Sequence, residues 1–429
     1  MEEIKEQEIK EIDDIWEKEL KESFSNQINN YQEEILNELE NKFNKINDSI
    51  NNYFLSINEK IGKKEKIINN KEDDELRKKE IDIDNLNKPT LVYLTLLQNT
   101  NPLINIILQC LSNIKDIVCY YLNPIKEYRI LKKSKDNPNN NYLGPSFLKL
   151  LDHLWKSNQK EYSPLEIHNV LKKIMLNNYY TNDASIIINY ILTKLDEELN
   201  FNQENNNIEQ DDPYDHFNKD ITAKKFHEKF MKNKTIISDT FYCAIKIKKR
   251  CLNCNASTAY YFETSPIVNI YLEENKDDNF NKLSFEEHFH TLLTVKEEQN
   301  INEDCIICCS KQNKIQIKDI FSSSKILIIN INREKDQEKT ISFKYPEIFD
   351  GKKVINHNYK NIINYKLTTV IKKIKTKNNN FEYITFYENI IDKHWYSFNN
   401  QRIKLIQNDY KNYILDEKNT IVLIYTLIQ

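Results

Sequence analysis

Cys251-Leu252-Asn253-Cys254 and Cys305-Ile306-Ile307-Cys308 are two CxxC pairs separated by fifty residues. A CxxC turn lets two thiolates bite one metal ion, and two such turns close a tetrahedral Zn²⁺ shell. Four soft ligands with no accompanying carboxylate describe a closed structural site, because a catalytic zinc keeps one position open. Cys309 follows directly and is read as a spare that is able to replace Cys308. The flanking residues are not notably basic, so a nucleic-acid-binding zinc ribbon and direct nucleic-acid binding are not expected.

The second stretch with chemical promise is Leu96 to Leu122, LLQNTNPLINIILQCLSNIKDIVCYYL. Asn99, Asn101 and Pro102 are turn and helix-start residues. Ile104, Ile107, Leu108 and Leu111 then fall at helical spacing, followed after a short break by Ile114 and Val118, which predicts a helix over 101–122. A helix that leaves a polar loop offers free N–H groups at its start, a common mount for a nucleophile. Its first turn holds neither Cys nor Ser. Cys110 lies two turns in and Cys119 further along the same predicted helix; both read as small packed hydrophobes. Cys243, in a predicted strand, reads as structural. His394 precedes Trp395, His357 falls in a loop, and His288 and His290 belong to SFEEHFH. With no partner Cys, each is assigned to the surface or to packing.

The elements that would position these residues change character along the chain. Leu36, Leu39, Phe43, Ile46, Ile50, Tyr53 and Ile57 alternate spacings of three and four, a heptad seam. Residues 1–65 are therefore expected to be helical and coiled-coil-prone, either packed on their own globular domain, self-associating or bound to a helical partner. Residues 66–88 read as a charged linker. Beyond about Leu91 come helices, including one opened by Ser163-Pro164-Leu165-Glu166 as a capping box and one over Asp183 to Leu199 with Ile187, Tyr190, Ile191 and Leu195 as its buried stripe. Residues 200–235 read as a polar loop or insertion. The period then shifts to two: Phe241 to Lys249, Ile267 to Leu272, Tyr365 to Lys373, Tyr383 to Glu388, Trp395 to Phe398 and Thr420 to Leu427 are predicted strands, and Lys325 to Ile331 a central one. Helices first and strands after predict an α+β fold.

With 429 residues there is room for two or three domains, or one large domain with an extension. A net charge of -4 gives no general attraction to nucleic acid or acidic membranes. No stretch approaches about eighteen apolar residues, so no membrane span is expected. The opening MEEIKEQEIKE has neither a basic nor an apolar leader region. The cysteines are accordingly expected as thiols and metal ligands in the cytoplasm and/or nucleus.

At this point the chain resembles the ubiquitin-specific proteases, the papain-like deubiquitinases built from thumb, palm and fingers. Five blocks occur in the family's order. These are NIILQCLSN (Asn105 to Asn113); Asn182-Asp183-Ala184 with Ile187; the two CxxC pairs with Phe241 before them and Glu263 after the first; Leu327 to Arg333 followed by Phe343-Lys344-Tyr345-Pro346-Glu347; and Tyr365 to Val370, Trp395 to Asn400 and Ile421 to Tyr425. The resemblance covers about Leu91 to Leu427 and implies a domain over 89–429, after the helical extension. Its thumb would span about 91–235, its zinc-ribbon fingers about 240–320 and its palm about 321–429.

The resemblance also implies a catalytic triad whose positions here are altered. The nucleophilic Cys aligns with Pro102, or with Asn101 if one residue is inserted. The oxyanion Asn falls at Leu96 or Leu97. The His of a GHY-like strand start falls at Glu382, in Phe381-Glu382-Tyr383. The third member survives as Asn399 or Asn400, and the Glu of the family's QDAxEF helix is Ile186. Thiol attack needs a thiolate, a base and donors for the oxyanion. The pattern thus also resembles the inactive members of the family. The preferred reading is a catalytically inactive protein that binds ubiquitin or a ubiquitin-like protein, or scaffolds a larger complex. The alternatives are an active cysteine deubiquitinase with a relocated nucleophile, and a structural subunit of an RNA-processing or other assembly with no ubiquitin role.

Overall fold

The computed structural model describes residues 93–95, 100–136, 141–200, 234–272, 285–286, 289, 307–309, 314–322, 324–333, 343–355, 364–376, 380–407, 410–415 and 418–428. The chain divides into two units, Met1–Lys79 and Glu80–Gln429, and every described residue belongs to the second. The heptad seam of 1–65, the linker 66–88, most of the 200–235 segment, Leu96, Leu97, Cys305, His288, His290 and His357 lie outside the described residues.

Helices α1 (Pro102–Leu111), α2 (Lys115–Tyr121), α3 (Pro124–Asp136), α4 (Gly144–Lys156), α5 (Leu165–Met175) and α6 (Ala184–Leu199) come first, then α7 (Ile236–Phe241). Before and among them, β1 (Tyr93–Leu94) pairs in parallel with β2 (Glu161–Tyr162). The strands follow: β3 (Cys243–Cys251), β4 (Ser257–Ser265), β5 (Val268–Leu272), β6 (Lys314–Ser322), β7 (Ile326–Arg333), β8 (Ile348–Asp350), β9 (Asn364–Lys375), β10 (Phe381–Glu388), β11 (Trp395–Phe398), β12 (Ile403–Leu405) and β13 (Thr420–Ile428), with a short α8 (Tyr410–Ile414) before the last. This is the α+β order that the change of period predicts.

Among the described residues the strands after β2 fall into two sheets. The order β4-β3-β6 makes a three-stranded antiparallel sheet. The order β12-β11-β10-β9-β13-β7-β5 makes the larger one, with β8 paired to β9. Strand alternation gives the larger sheet a core on each face. On one face Ile326, Ile328, Tyr383, Tyr387, Val422 and Ile424 join the apolar sides of α1, α4 and α6. On the other Leu327, Ile329, Ile331, Phe386, Leu423 and Tyr425 join Phe285, Phe343 and Phe349. The continuous apolar run of β7 is explained by this double burial, with β13 and β5 on its two sides.

Several boundaries differ from expectation. The helix predicted over 101–122 is two helices, α1 and α2, at 85°. Tertiary partners take the groups at the break: Asn113 Nδ2 donates to Glu388 O at 2.6 Å and Trp155 Nε1 donates to Ser112 O at 3.0 Å. Ile114 is extended, at φ -103 and ψ 116. Cys119 therefore sits on α2. The Ser163 capping box does not form; α5 is preceded by Pro164 without a side-chain cap, and Glu166 instead accepts from Lys149 at 2.5 Å. Phe241 ends helix α7 instead of opening a strand, because Thr235 and Ser238 form a capping box upstream. Tyr190 is only half-buried; Ile188 and Leu192 complete the buried stripe of α6. Among the described residues no single helix is long and apolar enough to cross a membrane.

Candidate functional site

The start of α1 is the position at which a family nucleophile is expected. Asn101 is its N-cap and Pro102 its first residue. Asn101 Oδ1 accepts from Leu103 N at 2.9 Å, while Nδ2 donates to Tyr179 O at 2.8 Å and Thr181 O at 2.9 Å. The buried side chain thus caps the helix and holds the 179–181 segment against it. Pro supplies the fixed φ that a helix start tolerates and no N–H.

A buried polar chain that the sequence reading passed over continues from there. Asn105 Nδ2 donates to Thr95 O at 3.1 Å. Its Oδ1 lies 2.8 Å from His168 Nε2, and His168 Nδ1 lies 2.6 Å from Tyr179 Oη. With Asn105 in that orientation, His168 donates from Nε2 and accepts the tyrosine hydroxyl at Nδ1. Burial lowers the His168 pKa to about 4, with Lys172 adding to the shift, and burial raises that of Tyr179 to about 12. Both side chains are neutral at physiological pH, each with its polar atoms engaged. The signal in the sequence was a His beside Ile167 on the buried stripe of an amphipathic helix.

The start of β10 meets the same segment, as Tyr383 Oη donates to Asn182 Oδ1 at 3.2 Å. The structure therefore brings the starts of α1 and β10 together through residues 179–182. Glu382 is exposed and occupies the second position of β10. The register pairs Thr385 with Phe398, which places Asn399 beside Ile384. Asn399 Oδ1 accepts from Gln401 N at 3.4 Å and Arg402 N at 3.3 Å, closing an Asx-type turn. Asn400 has φ 65 and is buried; its Oδ1 has no hydrogen-bond partner among the described residues. Tyr383, Thr385 and Tyr387 point toward the helical side, so alternation assigns Glu382, Ile384 and Phe386 to the opposite face.

Burial holds the thiols of Cys110, Cys119 and Cys243 toward the neutral form. Cys110 is buried against β10, with its Sγ 3.1 Å from Thr385 Oγ1, and burial pushes its pKa up to about 12. Burial also raises the pKa of Cys119. Cys243 is buried, 3.2 Å from Ser324 Oγ, with its pKa likewise raised by burial.

A second cluster lies at the far end of β3. Cys251, Cys254 and Cys308 bring their sulfurs within 4.8 Å of one another. The Cys251–Cys308 separation is 3.8 Å. A tetrahedral zinc with Zn–S of about 2.3 Å sets its sulfurs about 3.8 Å apart, so the donor set and spacing fit a metal ion. Cys309 is exposed and is not part of the cluster. It has φ 52, and Asn255, the residue after Cys254, has φ 57. The residue after Cys254 and the residue after Cys308 are thus both left-handed.

A ubiquitin carboxyl-terminal hydrolase family model matches residues 97–425. Solved structures with the same fold include a chain of the SAGA DUB module Ubp8/Sgf11/Sus1/Sgf73 bound to monoubiquitin, 16% identical, at TM-score 0.52 over 80% of this chain and 69% of that one. A chain of the yeast SAGA DUB module with an Sgf73 variant is 16% identical, at TM-score 0.54 over 85% and 74%. A chain of the module bound to ubiquitin aldehyde is 17% identical, at TM-score 0.53 over 85% and 75%. At these identities the likeness is one of fold, and it matches the papain-like architecture implied by the motif order. The family match runs from the loop before α1 to the last strand, and on that match the chain belongs to the ubiquitin carboxyl-terminal hydrolase family.

Proposed function

We propose that this chain is a family member without thiol catalysis, acting as a ubiquitin-binding or scaffolding module in a larger complex. The observation that carries this reading is the start of α1. By the order of the motifs Asn101 or Pro102 aligns with the family's nucleophile, and the Asn101 amide is used in capping and tethering. Glu382 aligns with the base, and its side chain is exposed on the face of β10 opposite α1. Asn399 and Asn400 alone are of a type compatible with the third member.

The remaining assignments follow the same reading. Cys251, Cys254 and Cys308, with Cys305 as the fourth ligand, hold a structural Zn²⁺ at the tip of the fingers. The domain of residues 89–429 divides into thumb, fingers and palm near 235 and 320. The helical extension of 1–65, joined by the 66–88 linker, supplies a contact to a protein partner or a second copy.

A ubiquitin derivative with a C-terminal electrophile tests the reading. No covalent adduct is expected, while plain ubiquitin binds reversibly in a titration. An adduct that disappears in Cys110→Ala or Cys119→Ala would overturn it in favour of a relocated nucleophile. Absence of ubiquitin binding at concentrations on the order of millimolar, with no adduct, would leave the assembly-subunit reading.

A further inference from the structure

The face of the large sheet opposite α1 carries a groove of about 540 Å³ beside β12. Ile384 and Phe386 form its floor. Leu405 and Tyr413 line it as well and are 46% and 52% exposed. The Tyr413 ring stacks on Phe386 at 6.2 Å, so this exposed apolar surface is held in place. Arg402 and Lys404 are the charged side chains among the described residues that line the same groove. Of the carboxylates on nearby elements, Glu347 meets Lys411 at 3.0 Å and Glu388 meets Lys366 at 2.5 Å, while Glu382 is exposed two residues before Ile384. The strand order ends at β12, so its outer edge has no strand neighbour among the described residues.

An apolar floor, exposed apolar walls, two cations among the described lining residues and an open strand edge together fit a peptide in extended form. We propose that this groove docks an acidic linear segment of a partner protein. An apolar side chain of that segment packs against Phe386, Leu405 and Tyr413, and its carboxylates meet Arg402 and Lys404. The charge set selects the partner, because a basic segment would meet like charge at Arg402 and Lys404. The proposal does not depend on whether ubiquitin is bound or cleaved.

Fluorescence anisotropy with a labelled peptide carrying phenylalanine flanked by glutamates tests it, with the glutamine counterpart as control. The glutamate peptide is expected to bind about tenfold more tightly than the glutamine peptide, and to lose that margin as salt is raised. Arg402→Gln with Lys404→Gln is expected to weaken it about tenfold and Tyr413→Ala about fivefold, at unchanged thermal midpoints, since all three side chains are exposed. Equal affinity for the two peptides would overturn the proposal. So would undiminished binding by the double variant, or binding of a single-stranded oligonucleotide in place of the peptide with the same sensitivity to those substitutions.

Discussion

His168 shows how one side chain couples burial to the geometry of the loop before α1. Its folded pKa of about 4 lies below the ordinary 6.5, so the fold favours the neutral ring. Stability from this group is complete above pH 6.5 and is lost as pH falls from there toward 4. The expected loss is at most about 3 kcal/mol, seen as a falling urea midpoint. His168→Gln is expected to flatten that slope while costing about 1–3 kcal/mol at pH 7, because Gln cannot serve Asn105 and Tyr179 in the same geometry. A slope unchanged in the variant would show that other groups produce it. Asn101 makes a related case. Asn101→Ala removes the cap and leaves Tyr179 O and Thr181 O without its amide, for an expected loss of about 2–3 kcal/mol in denaturant unfolding.

At the scale of elements, α4 begins on a carboxylate from another helix. Glu198 Oε1 accepts from Leu143 N and Oε2 from Gly144 N, both at 2.7 Å. Two orphan N–H groups of the helix start are thereby satisfied across more than fifty residues of sequence. A Cβ at Gly144 would stand 3.0 Å from Glu198 Oε2, which explains a glycine kept here in a chain with only 3. Gly144→Ala is expected to displace the carboxylate and lower stability by about 1–3 kcal/mol, and Glu198→Ala by about 2–4 kcal/mol. Thermal unfolding of the two variants checks this; an unchanged midpoint for Glu198→Ala would remove the capping role. The 85° turn between α1 and α2 has the same kind of cause, since its groups bond to Trp155 and to the end of β10.

For the molecule as a whole, the three-stranded sheet ends in the thiol cluster and the large sheet is buried on both faces. Metal at the cluster would tie the turn after β3 to the turn before β6, contacts separated by 57 residues for Cys251 and Cys308. The purified protein is expected to carry one zinc by elemental analysis. Chelation, Cys251→Ser or Cys305→Ser is expected to remove it and to lower the thermal midpoint. Full zinc content and full stability in both variants would refute the ligand set. The helical side and the strand side were legible because helices need a period near 3.6 and strands one of 2. Strand β7 was legible because burial on two faces leaves an unbroken apolar run. Strands β4 and β6 were not, since STAYYFETS and KIQIKDIFS mix polar and apolar residues on a small sheet.

The sequence by itself determined the α+β order, the thiol-rich metal motif, and the absence of Cys from the first turn of α1, because each is a property of residue type and spacing. Through the family resemblance it also pointed to Asn101, Pro102 and Glu382 in place of Cys and His, and to Asn399 or Asn400 as the third position. Only the tertiary structure decided what those residues do instead. Whether Asn101 is idle or tethers residues 179–181 depends on atoms about eighty residues away in sequence. Whether His168 lies at the surface or within a buried polar chain depends on Asn105 and Tyr179 arriving at its two nitrogens. Spacing records the local periodicity that a strand or helix must obey; it carries no record of which distant polar atom completes a hydrogen bond once the elements have packed.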